Sequence, residues 1–368
     1  MINETAHTLA DALVAGHPLV ADSLVLTLDG MSISVRSNSP ALIARLGDYF
    51  AHVVAGPKQQ TDVEVVAIER DAPNLDLPYV DWRREAGKKG RKDACFDLPG
   101  ARVIHKVRTG MTFLQSDKLR IAAGPCMAND NQVINFINNQ YMNALQQRGW
   151  LNCHAAGLRY RGRALAMAGF SGGGKSTLML HMMENPDTAF ISNDRLFVQA
   201  QHGQIMAAGI PKLPRINPGT IINNTRLSPL ISEREQAELS ALPAPELWDL
   251  EQKYDADITQ LYGEGRIEAG HCPLAGFMVL NWTREKGHPL KVEQVDLAER
   301  RDLLAAIMKS PGPFYQNADG VFLADTGDFD ESAYLNVLQH VPVYEASGSV
   351  DFEALSRRYF ERADSHHV

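Results

Sequence analysis

Nine residues near the middle of the chain, 169–177, constrain the fold more than any other part of the sequence. They read G-F-S-G-G-G-K-S-T and fit the pattern G-x-x-x-x-G-K-[ST], in which a glycine-rich loop surrounds a phosphate with backbone N–H groups. The apolar run 164–168 predicts a buried strand before this loop. Residues 178–184 predict a helix after it, which the Asn-Pro pair at 185–186 ends. This order predicts a nucleoside triphosphate site, whereas a glycine-rich turn with an incidental lysine would not account for the flanking strand and helix.

Each part of the motif has a physical role toward a triphosphate. Glycines let the backbone approach the phosphates closely, and the helix N-terminus adds a partial positive charge. The Lys175 ammonium can reach the β- and γ-phosphates, and the Ser176 hydroxyl can ligate Mg²⁺. The predicted nucleotide-binding residues are Gly169, Ser171, Gly172, Gly173, Gly174, Lys175, Ser176 and Thr177.

Length and composition limit the class of protein. The 368 residues suggest about two domains, and 45% apolar with 22% charged residues is an ordinary globular composition. A net charge of −8 disfavours general affinity for nucleic acid. The four cysteines show no paired metal-ligand spacing, which indicates a reducing compartment. Neither a secretory signal nor a membrane span is evident, so we expect a soluble cytoplasmic protein without nucleic-acid or membrane partners.

Residues 1–148 predict an α+β module without a catalytic motif. Its predicted elements are a short helix within 1–20, a hairpin over 23–35, a helix over 40–54, a strand over 62–68, three short strands within 93–123 and an amphipathic helix over 130–148.

A basic segment, residues 83–92, lies inside this module. It carries six lysines or arginines in ten residues of an acidic protein. It suits a docking loop for an acidic or phosphorylated partner, or simply a solvated surface loop.

Residues 149–368 form the second predicted domain. The run 151–158, with His154 in it, predicts a strand, and the run from 188 leads to Asn193 and Asp194. An acid at such a strand end can hold Mg²⁺.

The next stretch of this domain combines a hairpin with basic residues. Residues 196–204 predict the hairpin. The proline-broken stretch 209–216 carries Lys212 and Arg215, which we expect either near the phosphates or as surface charges.

The rest of this domain predicts further core elements. They are helices at 228–247, 298–309 and 351–363, and strands at 277–282, 321–325 and 341–346. Asp325 is a rival metal-binding acid to Asp194, although the residues after it also suit a turn.

The motifs together resemble one family of P-loop proteins. The glycine loop alone would also suit an ABC transporter ATPase, but no L-S-G-G-Q sequence occurs and no glutamate follows Asp325. The sequence CHAAGL…ALAMAGFSGGGKSTL…FISND…IPKLPRI…PVYEASGSVDF resembles HPr kinase/phosphorylase and its related kinases, most closely the type B subgroup. The resemblance runs from about residue 150 to the C-terminus and is most specific between 150 and 200.

The resemblance implies an α/β fold: a P-loop kinase domain of the HPr-kinase (PEP carboxykinase-like) type over 149–368, preceded by the α+β module. It implies ATP and Mg²⁺ as cofactors, with Asp194 holding the metal and His154 beside the γ-phosphate. Asn193 stands where the family has an acid proposed to deprotonate the acceptor serine. His154 as a core histidine and Asp194 as a turn residue are the structural alternatives.

The function we expect is therefore an ATP- and Mg²⁺-dependent kinase. Its acceptor is a hydroxyl of a small molecule or of a protein, with an acidic protein among the candidates. A P-loop ATPase or nucleotide-dependent switch without phosphotransfer is the alternative, and Asn193 is the feature that favours it. Association into a homo-oligomer is left open.

Overall fold

The fold is mixed α/β and contains two large sheets. A computed structural model describes residues 5–56, 58–83, 90–170, 172–250, 252–325 and 329–365. The chain divides into two compact units, one comprising 1–149 and 310–328, the other 150–309 and 329–368. The sequence did not indicate that residues 310–328 return to the first unit.

The described residues of the first unit form an eight-stranded sheet and three α-helices. Its elements are α1 (Ala6–Val14), β1 (Ser23–Leu28), β2 (Met31–Ser37), α2 (Pro40–Tyr49), a 3₁₀ turn (Ala51–Val53), β3 (Val63–Glu69), β4 (Val80–Asp81), β5 (Asp93–Leu98), β6 (Ala101–Lys106), β7 (Thr112–Ser116), β8 (Arg120–Gly124) and α3 (Asp130–Gln147). The strand order is β1-β2-β3-β8-β7-β6-β5-β4. The pairs β2–β3 and β3–β8 are parallel and the others antiparallel.

Two predictions for this unit need correction. The stretch 93–123 forms four strands, β5 to β8, because each of its three turns separates a pair of strands. The run 321–325 is not a core strand: Val321 is 60% and Leu323 is 37% exposed. Its described backbone makes a single bridge, between Gln316 and Phe322. An apolar run without neighbouring strands to pair with does not become part of a sheet.

The second unit contains the glycine loop. Its elements are β9 (Leu151–Cys153), β10 (Ala155–Tyr160), β11 (Arg163–Gly169), α4 (Lys175–Met182), β12 (Thr188–Ser192), β13 (Leu196–Gln201), β14 (Gln204–Ala208), β15 (Arg215–Ile216), α5 (Pro218–Ile222), a 3₁₀ turn (Thr225–Leu230), α6 (Glu233–Ser240), α7 (Ala244–Asp249), β16 (Tyr254–Asp255), α8 (Ile258–Tyr262), β17 (Cys272–Leu280), β18 (Lys291–Gln294), α9 (Arg301–Ile307), α10 (Glu331–Leu338), β19 (Val343–Ser347) and α11 (Phe352–Ser365).

A nine-stranded mixed sheet organises this unit. Seven strands follow the order β12-β10-β11-β17-β14-β13-β9, and β19 pairs with both β17 and β18. The central pairs β11–β17 and β17–β19 are parallel. Strands β15 and β16 form a separate small ladder. Strand β11 therefore lies inside the sheet, and the loop that follows it starts from a fixed position.

Helices cover both faces of this sheet. Along β11, Leu165 and Met167 pack with residues of α4 and α11, whereas Ala164, Ala166 and Ala168 pack with residues of α9 and α10. Strands covered on both faces read as continuous apolar runs, and 164–168 is such a run. The strand–loop–helix order predicted around the glycines is confirmed.

Two further predictions for this unit are corrected. The run 151–158 is broken at His154, because β9 pairs with β13 while β10 pairs with β11 and β12. The His154 N–H donates instead to the Ile307 carbonyl at 2.6 Å. The helix expected over 228–247 is divided into α6 and α7. Between them lies Pro243, whose ring fits at the start of a helix but not in its interior.

The described helices do not include one that is long and apolar enough to cross a membrane.

Candidate functional site

The glycine loop takes a backbone shape that its glycines make possible. Gly174, the residue before α4, has φ +89°, and an added Cβ there would lie 3.1 Å from the Phe352 ring. Gly172 has φ +77°. L-residues with a side chain rarely adopt these angles. Ser171, predicted to bind nucleotide, lies outside the described residues.

The loop is held from two sides. Lys175 is only 8% exposed, and its Nζ donates to the Gly169 carbonyl at 2.7 Å. Trp282 donates from Nε1 to the Gly173 carbonyl at 2.8 Å, and its ring meets Phe352 edge-on at 5.1 Å. These contacts tie the Gly169 and Gly173 carbonyls of the loop to neighbouring side chains.

A cavity of about 340 Å³ lies at this loop in the second unit. It is bordered by most of the predicted site residues, namely His154, Gly172, Gly173, Gly174, Lys175, Ser176, Thr177, Asn193, Asp194, Lys212 and Arg215. Among its described lining residues, six are lysine or arginine and one, Asp194, is a carboxylate. Such a lining favours a strongly anionic ligand.

Asp194 joins two basic groups at one part of this cavity. Its carboxylate lies 3.2 Å from His154 Nε2 and 2.6 Å from Lys309 Nζ. Each group comes from a different element: Asp194 follows β12, His154 lies between β9 and β10, and Lys309 follows α9. The turn that presents Asp194 is closed by the Ser192 hydroxyl, which donates to the Arg195 carbonyl at 2.6 Å.

These contacts determine the protonation states of Asp194 and His154. Burial would raise the pKa of Asp194, but the Lys309 ammonium and the His154 contact outweigh it and hold the pKa well below the ordinary value. Burial lowers the pKa of His154, and although the Asp194 hydrogen bond opposes this, the net shift is downward. At neutral pH the carboxylate is therefore charged and the imidazole is neutral.

A second basic group extends this positive region. Arg215 pairs with Asp255 at 3.0 Å across the β15–β16 ladder. Among the described residues, no carboxylate lies within ion-pair distance of Lys212. Burial and the neighbouring Arg195 lower the pKa of Lys212 to about 8. An unpaired, partly buried ammonium is stabilised when an anion binds beside it.

Two asparagine oxygens beside the cavity lack hydrogen-bond donors. Within the described part of the chain, neither Asn193 Oδ1 nor Asn217 Oδ1 has a hydrogen-bond partner, although both are buried. A buried acceptor without a donor costs free energy.

Thr177 has a structural partner. Its hydroxyl lies 2.8 Å from the hydroxyl of Thr220, and both side chains are buried. This hydrogen bond joins the first turn of α4 to α5, so Thr177 supports the loop in addition to bordering the cavity.

The oxygen ligands present suit Mg²⁺. Ser176 and Asp194 both border the cavity, and hydroxyl and carboxylate oxygens are the ligands that Mg²⁺ prefers. In the part of the chain that the structure describes, no group of three or more His, Cys, Asp or Glu side chains could hold a metal.

Several residues that border the cavity, and Lys309, which contacts Asp194, were missed by the sequence analysis. Arg195 directly follows Asp194 and could have been noticed from that adjacency. Lys309 is 115 residues from Asp194, and Lys253, Arg284 and Trp248 lie far from the motif in sequence. No local pattern marks these four.

The other predicted candidates lie elsewhere. Asp325 belongs to the first unit, where it accepts a hydrogen bond from the Arg83 backbone N–H, and it does not border the cavity. Residues 84–89 of the basic segment lie outside the described residues. In the remainder of that segment, Arg91 pairs with Asp81 at 2.7 Å.

Comparison with known proteins gives little further information. No protein-family model matches the chain, and no curated protein matches its sequence. Among the solved structures that match, the Hpr(Ser) kinase/phosphatase from Coxiella burnetii aligns with 59% of this chain and 96% of its own, at 11% identity and a TM-score of 0.29. A likeness of that size carries no argument about this chain.

Proposed function

We propose that this protein is an ATP- and Mg²⁺-dependent kinase that transfers the γ-phosphoryl group to a hydroxyl of a protein or small-molecule acceptor. One observation carries the proposal: the glycine loop, six basic side chains and the Asp194–His154 pair border a single cavity. The glycine loop and the basic side chains suit a triphosphate, and the Asp194–His154 pair supplies the polar group that a phosphoryl acceptor needs beside it.

In this proposal the loop amides, Lys175 and Lys212 neutralise the phosphates. Ser176 and Asp194 would hold Mg²⁺, which would supply charge neutralisation to the phosphates when bound. Lys175 would exchange its hydrogen bonds with the Gly169 and Phe170 carbonyls for a phosphate contact.

His154 and Asn193 would act on the acceptor. Because the Asp194 carboxylate accepts from Nε2–H, Nδ1 of His154 keeps the lone pair and can take a proton. Asn193 borders the cavity, and its side-chain amide would hydrogen-bond with the acceptor hydroxyl and orient it. Phosphoryl transfer has a loose transition state, so positioning and charge neutralisation contribute more than a strong base.

The first test is nucleotide binding. Lys175→Ala should weaken ATP binding by about 10-fold or more in calorimetry, because a charge-assisted contact contributes about 1.5–3 kcal/mol. Lys118→Ala, which changes an exposed lysine of the first unit, is the matched control and should bind ATP as the wild type does. Equal affinities for the wild type and Lys175→Ala would refute the nucleotide site.

The second test separates transfer from hydrolysis. Protein incubated with γ-labelled ATP and cell lysate should label an acceptor faster than it releases inorganic phosphate. Asp194→Asn can serve as a trap to capture that acceptor for mass spectrometry.

A P-loop ATPase or nucleotide-dependent switch is the competing candidate. The observation that favours it is Asn193, since a neutral amide cannot take the acceptor's proton. If the wild type only releases phosphate, and Asn193→Asp is the first variant to label an acceptor, this candidate is correct and the kinase proposal is wrong.

A further inference from the structure

The cavity carries an aromatic surface that the phosphate chemistry does not use. Trp248, at the end of α7, borders the cavity and is half-buried. The Arg284 guanidinium carbon lies 5.5 Å from its ring centroid. Both groups are planar, and planar cations stack on indole rings.

Backbone packing fixes this ring. A Cβ added to Gly219 in α5 would lie 2.6 Å from Cε3 of Trp248, so the indole rests directly against the backbone of α5. Residue 219 leaves the required room only as glycine. The ring is therefore held in one place, as a surface that recognises a flat ligand must be.

Arg284 joins this surface to the glycine loop. Its Nη2 lies 3.5 Å from the Gly172 carbonyl oxygen, and its Nη1 lies 3.3 Å from the Asp249 carboxylate. One arginine side chain thus spans the distance between the loop and the Trp248 ring. Neither Trp248 nor Arg284 shares a hydrogen bond or ion pair with His154, Asp194 or Lys309 in the described structure.

We infer that Trp248 and Arg284 form the subsite for the nucleobase of the nucleotide. Every base has a π face that stacks on tryptophan and on the guanidinium plane, whereas a triphosphate has none. A ligand whose phosphates lie in the loop would extend its nucleoside along Arg284 to Trp248. This inference rests on the proposed nucleotide site and adds the residues that distinguish a nucleotide from a bare polyphosphate.

The experiment compares ATP with inorganic tripolyphosphate, which lacks the base and the sugar. The wild type should bind ATP at least about 10-fold more tightly in calorimetry, as expected for one stacked base. Trp248→Leu should remove most of this difference and leave the tripolyphosphate affinity within about twofold, since no phosphate contact is lost. Trp248→Phe, which keeps a ring against Gly219, should retain most of the difference.

The first unit offers a matched control. Trp82 also carries a stacked guanidinium, that of Arg102 at 5.1 Å from its ring centroid, and it does not border the cavity. Trp82→Leu should leave both affinities unchanged. Indole fluorescence gives a second readout. Trp282 contacts the glycine loop, so both ligands should change the signal, but ATP should change it more than tripolyphosphate. That difference should be lost in Trp248→Leu and kept in Trp82→Leu.

The outcomes separate this inference from the proposed function. If the wild type binds neither ligand, the nucleotide site itself is wrong and the subsite falls with it. If it binds both ligands equally, or if Trp248→Leu and Trp248→Phe weaken both equally in folded protein, the phosphate site stands and the nucleobase subsite is refuted.

Discussion

Replacing Asp194 with asparagine removes a charge that has two proposed roles, one in stability and one in Mg²⁺ binding. The carboxylate lies 2.6 Å from Lys309 Nζ and 3.2 Å from His154 Nε2, and it is also the proposed Mg²⁺ ligand. A purely structural role and a metal-binding role predict different effects of the same substitution, so the variant can distinguish them.

The structural effect follows from the contact with Lys309. A short charge-assisted hydrogen bond contributes about 1.5–3 kcal/mol, whereas exposed ion pairs contribute about 0.2–1 kcal/mol. The Asp194 side chain is 52% exposed and that of Lys309 is 13% exposed. The loss in free energy of unfolding should therefore lie between these limits, at about 1–2 kcal/mol. In a unit of this size that lowers Tm by about 2–4 °C per kcal/mol.

The effect on the metal is separate. If Asp194 ligates Mg²⁺, the Mg²⁺ concentration for half-maximal activity should rise by about 10-fold or more. Lys309→Met combined with Asp194→Asn should recover part of the stability, because Lys309 no longer lacks its counter-ion. The double variant should not recover the Mg²⁺ response. Thermal unfolding and a Mg²⁺ titration of activity measure the two effects independently.

Asp187→Asn is the control. Asp187 is 56% exposed and pairs with Arg161 at 3.7 Å, but it does not border the cavity. Neither the Tm nor the Mg²⁺ concentration for half-maximal activity should therefore change appreciably. Metal binding by Asp194 is refuted if Asp194→Asn lowers Tm while the Mg²⁺ titration is unchanged.

Three other predictions concern the acceptor, the phosphates and the partner. His154→Gln should lower kcat by about 10²-fold or more with ATP binding retained. Because burial lowers the pKa of His154 below its usual 6.5, the wild-type rate should fall only on acidification below that pH, and a pH–rate profile of the variant should lack this limb. Lys212, with a pKa of about 8, is charged below that pH and neutral above it. Calorimetry should therefore show that ATP binding weakens between about pH 7.5 and 9.5, while Lys212→Arg should keep its affinity over this range. Equal pH dependence in both proteins would contradict a phosphate contact by Lys212. Charge reversal of the basic segment 83–92 should raise the acceptor KM and flatten its salt dependence without changing the ATP KM, and an unchanged acceptor KM would indicate a solvated loop.

The sequence alone was sufficient to predict the features that depend on residues adjacent in the chain. The strand, glycine loop and helix around 169–177 were predictable because buried strands, glycine turns and helix stops each leave a local pattern. The hairpin of β1 and β2 was predictable for the same reason, since its turn and its alternating strands are adjacent in the chain. The candidate acid at 194 followed from its position after an apolar run.

Only the tertiary structure decided which distant groups meet. Asp194 meets Lys309 in addition to His154, and Arg284 lies beside the Trp248 ring. Nothing in the local sequence of these residues differs from that of ordinary surface residues. The break at His154 and the exposure of 321–325 have the same cause. An apolar run indicates that a strand could be buried, but whether it finds neighbours, and which ones, depends on the pairing of strands far apart in the chain.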